Sequence, residues 1–262
     1  MLNYSVAELR VMIPKIIHYC WFGNAQKDYM AKKCIESFGQ IRGGKIVEWN
    51  ETNCSFDETE YVKQAYEQRS WAHVSDYFRL KWLYEYGGIY MDTDIQVKKS
   101  FPDNFFEADL VLGYMYECAI STAVIMAAPK HPYIKGLLDM YETMAFDRRI
   151  PNNSIFNDFT LANYPNFRLN GKFREFIPNG FIYPRYYFEV PTFGKEGGYS
   201  VHHFMGSWHC HKDSFKNVIR KVFKWSRFHC SLLDWWYQNY FRNKLLRRSG
   251  YHKRYLEDLY RD

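Results

Sequence analysis

Two aspartates, Asp92 and Asp94, flank Thr93 just beyond the pair Gly87-Gly88. Ile89, Met91, Thr93 and Ile95 alternate with Tyr90, Asp92 and Asp94, so the segment reads as a strand with both carboxylates on one side. Two carboxylates that close repel unless a cation sits between them or one takes a proton. Oxygen ligands on a partly open site suit Mg²⁺ or Mn²⁺, with a substrate diphosphate completing the shell. The plainer alternative is a solvated turn with two acids. Upstream, Asp76 and Arg79 stand three apart in a helical stretch and so share a face. As a surface ion pair they would contribute well under ~1 kcal/mol. Bordering a metal site, Asp76 would accept sugar hydroxyls and Arg79 would meet phosphate or sugar oxygens. A third cluster, residues 202–211, holds His202, His203, His209, His211 and Cys210. It has the residue types of a zinc site but no second Cys/His pair at finger spacing. Its histidines and Ser207 either complete the site begun by the aspartates or are ordinary surface and core residues.

The elements that must position these groups alternate in type. Residues 13–22 and 45–49 read as strands with a helix over 26–38 between them. Tyr61 to Tyr86 is helical in character and is stopped by Gly87-Gly88. Strands are expected at 109–114 and 121–127, then a helix over 132–146. Alternation of this kind predicts an α/β fold with a mostly parallel sheet, and in such sheets ligands bind at the carboxyl ends of strands.

The chain has 262 residues, 47% hydrophobic and 24% charged, ordinary values for one or two globular domains. No run of 18 apolar residues is present, and Glu8 and Arg10 interrupt what a signal peptide would need, so a cytoplasmic protein is expected. Cys20, Cys34, Cys54, Cys118, Cys210 and Cys230 form no C-x-x-C pair and are expected as reduced thiols. The overall charge of +6 is uneven: residues 212–262 carry 13 Lys and Arg against 5 Asp and Glu, together with twelve aromatic residues. This shift divides the chain into a body, 1–211, and a basic, aromatic, helix-compatible extension, 212–262. Within the extension Lys216, Arg220, Lys221, Lys224 and Arg227 recur at helical spacing, the pattern of a helix that lies on an anionic membrane surface. A merely solvated basic face is the alternative, and nucleic acid is not expected as the partner.

The run S-D-Y-F-R-L-K-W-L-Y-E-Y-G-G-I-Y-M-D-T-D (75–94), preceded by I-P-K-I-I-H-Y-C-W-F-G (13–23), resembles glycosyltransferase family 32. That family includes bacterial capsular-polysaccharide sugar transferases and yeast-type initiating mannosyltransferases, and it is related to the glucosylating domains of large clostridial toxins. The resemblance returns at His203-x-x-x-Ser207-Trp208, where the toxin relatives use different residue types. It implies a GT-A fold, a nucleotide-sugar donor, a divalent metal (Mn²⁺ or Mg²⁺) and retention of configuration. Carried over, Trp21 would stack on the base, and Asp76 and Arg79 would hold the donor sugar. Tyr90 and Asp92 would lie along the ribose and diphosphate. Asp94 would be the direct metal ligand with Asp92 beside it; His203 would be a further ligand, with His202 its rival. Ser207 and Trp208 would close over the diphosphate. The implied donor is a UDP-hexose, with GDP-mannose compatible. The implied acceptor is a saccharide, typically a polyprenyl-diphosphate-linked oligosaccharide in capsule or exopolysaccharide assembly, which fits a membrane-docking extension. A retaining route calls for attack from the leaving-group side or for a carboxylate nucleophile, for which Glu117 and Asp158 are candidates by location. A nucleotidyltransferase or nucleotide-sugar hydrolase, and a non-catalytic saccharide- or membrane-binding protein on an inactive transferase fold, are the rival readings. The first lacks a Gly-rich, Lys-containing phosphate loop, and intact Asp76, Arg79, Asp92 and Asp94 count against the second.

Overall fold

The computed structural model describes residues 12–192, 194–205 and 251–259. The apolar run near the N-terminus forms β1 (Ile16–Cys20), and the chain returns through α1 (Tyr29–Ser37) to β2 (Lys45–Trp49). Asp28 caps α1 by accepting from the Ala31 amide at 2.7 Å. β1 pairs in parallel with β2 (Ile16 opposite Lys45) and, on its other side, with β3 (Gly88–Met91; Ile17 opposite Ile89).

The stretch Tyr61 to Tyr86, helical in character as expected, holds two helices: α2 (Glu60–Glu67) and α3 (Trp71–Tyr86). Arg69 between them has φ 53°, a left-handed conformation no helix continues through. α3 ends at Gly87, whose φ is 64°, and Gly88 follows at φ 108°. A Cβ on Gly88 would lie 2.4 Å from the carbonyl oxygen of Ile16, so the close approach of β3 to β1 requires glycine there. This tight turn sends the chain straight from α3 into the strand that leads to the aspartates.

After β3 come β4 (Ile95–Val97), α4 (Asp103–Phe106), β5 (Leu110–Tyr116), β6 (Ala119–Ile120), β7 (Val124–Ala127), α5 (Pro132–Thr143) and α6 (Asn152–Asn163). The hairpin β8 (Arg174–Ile177) and β9 (Gly180–Tyr183), the short β10 (Ser200–His202) and α7 (His252–Leu259) complete the described elements. The main sheet runs β2-β1-β3-β7-β5-β9-β8, with β6 paired to β5. From the pairings, β2, β1, β3, β5 and β9 run one way, while β7 and β8 oppose them. The sheet is therefore mostly parallel, with one reversed strand at its centre. β4 and β10 form a separate antiparallel pair.

Side chains alternate across the sheet as strand geometry requires. Tyr90, Leu110, Leu112 and Ile125 pack toward α2, α3, α5 and α6, whereas Ile89, Met91, Val111 and Met126 pack in a second core on the opposite face. Tyr255 of α7 is buried in the first core. The C-terminal segment is fastened further by Tyr251 donating to Asp158 at 2.7 Å and Tyr255 donating to Glu117 at 2.7 Å. The end of the basic extension thus packs on the body; Lys216 to Arg227 lie outside the described residues. Cys20, Cys34 and Cys54 are free thiols.

His18 in β1 supports a pH prediction. It is buried, contacts the Gly87 carbonyl at 2.8 Å through Nε2, and accepts from the Trp49 indole N–H at Nδ1, 3.1 Å. Burial outweighs the Gly87 hydrogen bond and lowers its pKa to about 4. The folded state therefore prefers the neutral ring. Its stabilising effect is complete above the unfolded pKa of about 6.5 and is lost as pH falls toward 4. Urea unfolding at pH 7 and pH 5 should show a loss of about 2 kcal/mol from this group, a component absent from His18→Gln.

Candidate functional site

The carboxyl end of β3 is where the predicted residues meet. Tyr90 faces α3, and Asp92, two residues on, shares that side. The strand itself stops at Met91, one residue short of the first aspartate. Asp92 donates its amide to the Ala123 carbonyl at 2.9 Å, and Ile95 donates back to the Asp92 carbonyl at 3.0 Å. The two acids thus sit on a tight turn, and this turn, not strand alternation, sets their separation.

From α3, Arg79 reaches this turn. Its Nη2 lies 2.8 Å from Asp76 Oδ1 and 3.4 Å from Asp92 Oδ1. Its Nη1 donates to the Thr122 carbonyl at 2.6 Å and its Nε to the Ser75 carbonyl at 3.3 Å, and the guanidinium stands 4.6 Å from the Tyr90 ring centre. The Tyr90 hydroxyl donates to Asp92 Oδ1 at 2.9 Å. Asn152, at the start of α6, donates to Asp76 Oδ1 at 2.8 Å and accepts from Tyr141 at 2.8 Å. Asp76 and Arg79 are 7% and 4% exposed, so the pair is interior and not a solvated surface bridge.

Asp94 lies beside β10. Antiparallel pairing sets His202 opposite Ile95, which brings its ring beside Asp94, with Nε2 3.2 Å from Asp94 Oδ1. The Met205 amide donates to Asp94 Oδ2 at 2.9 Å. His202 Nδ1 lies 2.6 Å from Oε2 of Glu189, a carboxylate with no exposed surface that also accepts from the Ser121 hydroxyl. His203 points away and meets Gln96 Oε1 at 3.2 Å. Of the two histidines expected as rival ligands, His202 is the one that the structure groups with Asp92 and Asp94. In a strand successive side chains alternate, and the register with β4 turns the first histidine inward.

Ligand atoms of Asp92, Asp94 and His202 all lie within 4.8 Å of one another, the one such group among the described residues. Two carboxylates and an imidazole form a donor set that fits a divalent cation. Burial pushes the Asp92 carboxyl up against the pull of Arg79, and Asp94 adds to the push. Asp94 is held at about 2, because His202 and the Met205 amide outweigh its burial. Burial works against charge on His202, but Asp94 and Glu189 prevail and raise its pKa well above the usual imidazole value. Asp76 is pushed up by burial, with Arg79 opposing. Burial also works against charge on Arg79, but Asp92, Tyr90 and Asp76 keep it charged.

Of the residues expected at the site, Asp76, Arg79, Tyr90 and Asp92 are joined by direct contacts, and Asp94 meets His202 beside them. Trp21 stands at the carboxyl end of β1, its indole donating to the Ala25 carbonyl at 2.7 Å and the Lys27 ammonium 5.4 Å from its ring centre. Ser207 and Trp208 lie outside the described residues. Glu117 and Asp158 accept the tyrosine hydrogen bonds that fasten the C-terminal segment. Glu189, Ser121 and Asn152 were not anticipated. For Glu189 a signal existed: it is an acid inside the aromatic run Tyr186 to Val190, an uncommon place for an unpartnered carboxylate.

Residues 24–111 match a family model described as glycosyltransferase sugar-binding region containing DXD motif. Among solved structures the chain is similar to the PaToxG glycosyltransferase, at 17% identity and TM-score 0.47 over 59% of this chain and 70% of that one. It is also similar to a glycosyltransferase involved in glycosylation of the major capsid of PBCV-1, at 13% identity and TM-score 0.37 over 66% and 83%. A third similarity is to the apo-form glycosyltransferase GlyE of Streptococcus pneumoniae TIGR4, at 14% identity and TM-score 0.36 over 57% and 44%. No curated protein matches the chain. The mixed α/β architecture has the mostly parallel sheet that the sequence predicted.

Proposed function

We propose, from the premise that the chain is a glycosyltransferase with its sugar-binding DXD region over 24–111, that it moves a hexose from a UDP-linked donor, with retention, onto a lipid-linked saccharide of capsule or exopolysaccharide synthesis. The observation that carries the reading is the clustering of Asp92, Asp94 and His202 ligand atoms within 4.8 Å. Those three residues would hold Mn²⁺ or Mg²⁺, which supplies Lewis-acid neutralisation of the diphosphate leaving group.

The remaining chemistry belongs to the chain. Arg79 is engaged by protein acceptors at Nε, Nη1 and Nη2, so we read it as the clamp that fixes Asp76 and Asp92. Asp76, oriented by Arg79 and Asn152, accepts donor-sugar hydroxyls. Trp21 presents its ring to the base, and Ser207 and Trp208, on the family resemblance, donate to the diphosphate. Leaving-group departure gives the sugar oxocarbenium character. The acceptor oxygen then attacks from the same face as the bond between the anomeric carbon and phosphate breaks, and the departing phosphate takes the acceptor proton. The tyrosine bonds to Glu117 and Asp158 favour this route over a nucleophile at either position.

A screen of UDP- and GDP-sugars for slow hydrolysis tests the donor assignment. Turnover of a UDP-hexose with Mn²⁺, abolished by EDTA, is expected; turnover of GDP-mannose alone would replace the donor, and turnover insensitive to EDTA would remove the metal.

No helix among the described residues is long and apolar enough to cross a membrane. We assign the basic segment Lys216 to Arg227 to docking at the cytoplasmic face of an anionic membrane. Because Tyr255 packs in the core, charge substitution tests this better than truncation. Anionic liposomes should float the full chain and not a variant with Lys216, Arg220, Lys221, Lys224 and Arg227 changed to Ser; equal flotation of both would contradict docking.

A further inference from the structure

His202 is gripped at both ring nitrogens. Nε2 faces Asp94 at 3.2 Å and Nδ1 meets Glu189 at 2.6 Å. The carboxylate is itself anchored on every side. Its second oxygen takes the hydroxyl of fully buried Ser121, its carbonyl accepts the His202 amide at 2.8 Å, and its amide donates to the Arg185 carbonyl at 2.9 Å. Phe204 stacks on the imidazole, ring centres 3.9 Å apart at 20°. Ser200 Oγ donates to the Phe188 carbonyl at 2.6 Å, tying the same two segments together. A buried carboxylate costs more than an apolar side chain of equal volume, so its placement against an imidazole and one hydroxyl calls for a use.

A neutral imidazole has one bare nitrogen, and the partner of the other nitrogen decides which one it is. A carboxylate at Nδ1 holds the proton there and makes the opposite nitrogen a better ligand. We infer that Glu189 is a positioning residue that presents Nε2 of His202 to the space shared with Asp92 and Asp94, and thereby biases the site toward Mn²⁺ over Mg²⁺. The inference rests on the reading of those three residues as the cation site. Carboxylates alone serve both ions, and Mg²⁺ favours oxygen ligands; an added nitrogen ligand shifts the balance toward the transition ion.

Mn²⁺ alone and Mg²⁺ alone should be titrated into the full chain and into Glu189→Ala, Glu189→Gln and His202→Ala. Free Mn²⁺ is read by electron paramagnetic resonance, Mg²⁺ by competition against Mn²⁺, and the bound nitrogen by ¹⁴N modulation of the Mn²⁺ spin echo. Glu189→Ala is expected to weaken Mn²⁺ up to about 100-fold and Glu189→Gln, which keeps volume and an acceptor oxygen, about tenfold. Mg²⁺ should change much less, and the ¹⁴N modulation should diminish in step with the Mn²⁺ affinity. Equal weakening of the two ions marks Glu189 as merely structural and overturns the inference. Unchanged Mn²⁺ binding in Glu189→Gln overturns it as well, even if Glu189→Ala does not fold. If the unaltered chain shows no ¹⁴N modulation and His202→Ala binds Mn²⁺ as well as it does, the cation site itself is wrong, and the inference falls with it.

Discussion

Asp94→Asn is expected to lower transfer by at least about 10³-fold, roughly 4 kcal/mol of transition-state stabilisation, while the protein stays folded. Asn keeps an oxygen that can accept from the Met205 amide, now made to Asp94 at 2.9 Å. What it loses is the charge, which faces His202 across 3.2 Å and stands with Asp92 in one ligand cluster. Without metal, the change relieves repulsion with Asp92 but gives up the pairing with His202 that holds Asp94 at about 2, so Tm should fall modestly. With Mn²⁺ and a nucleoside diphosphate, the upward thermal shift of the unaltered protein should vanish in the variant. Steady-state kinetics beside thermal unfolding separates this from misfolding. Activity within tenfold of the unaltered enzyme would mean that Asp94 does not serve the leaving group.

The second large effect concerns stability. Arg79→Met leaves Asp76 and Asp92 facing each other's charge in the interior with their shared cation gone. Removing one partner of a buried ion pair costs about 3–5 kcal/mol, and here the arginine is 4% exposed. A fall in Tm of about 10 °C follows for a chain of this size. Arg79→Lys should recover little, because one ammonium cannot replace donors at Nε, Nη1 and Nη2 aimed at Ser75, Thr122, Asp76 and Asp92. Adding Asp76→Asn to Arg79→Met should restore part of the loss by removing one uncompensated charge. Urea unfolding of the unaltered protein, Arg79→Met, Asp76→Asn and the double variant measures the coupling. A loss under about 1 kcal/mol in Arg79→Met would instead describe an ordinary surface bridge.

Where local rules governed, the sequence was readable. β2 falls on the expected residues 45–49, α3 ends where Gly87-Gly88 predicted, and alternation of strands with helices gave the sheet its type. Asp76, Arg79, Tyr90, Asp92 and Asp94 were also legible, because short spacings on one helix and one strand bring them together. What failed depended on distant partners. The reversal of β7 between β3 and β5 leaves no mark in its own residues. Period-two alternation around Asp92 looks the same whether the strand continues or turns; the Ala123 carbonyl decides. His202 and His203 are locally equivalent, and only the register of β10 on β4, more than a hundred residues earlier, selects the first. Glu189 reaches Ser121 across 68 positions, a separation that spacing cannot reveal.

The most direct test of the account is Mn²⁺-dependent hydrolysis of the preferred donor by His202→Ala and His203→Ala, compared side by side. The geometry predicts a loss of about 100-fold or more for His202→Ala, with His203→Ala within a few-fold of the unaltered enzyme. The reverse order, or equal retention of activity in both, would contradict the Asp92, Asp94 and His202 site.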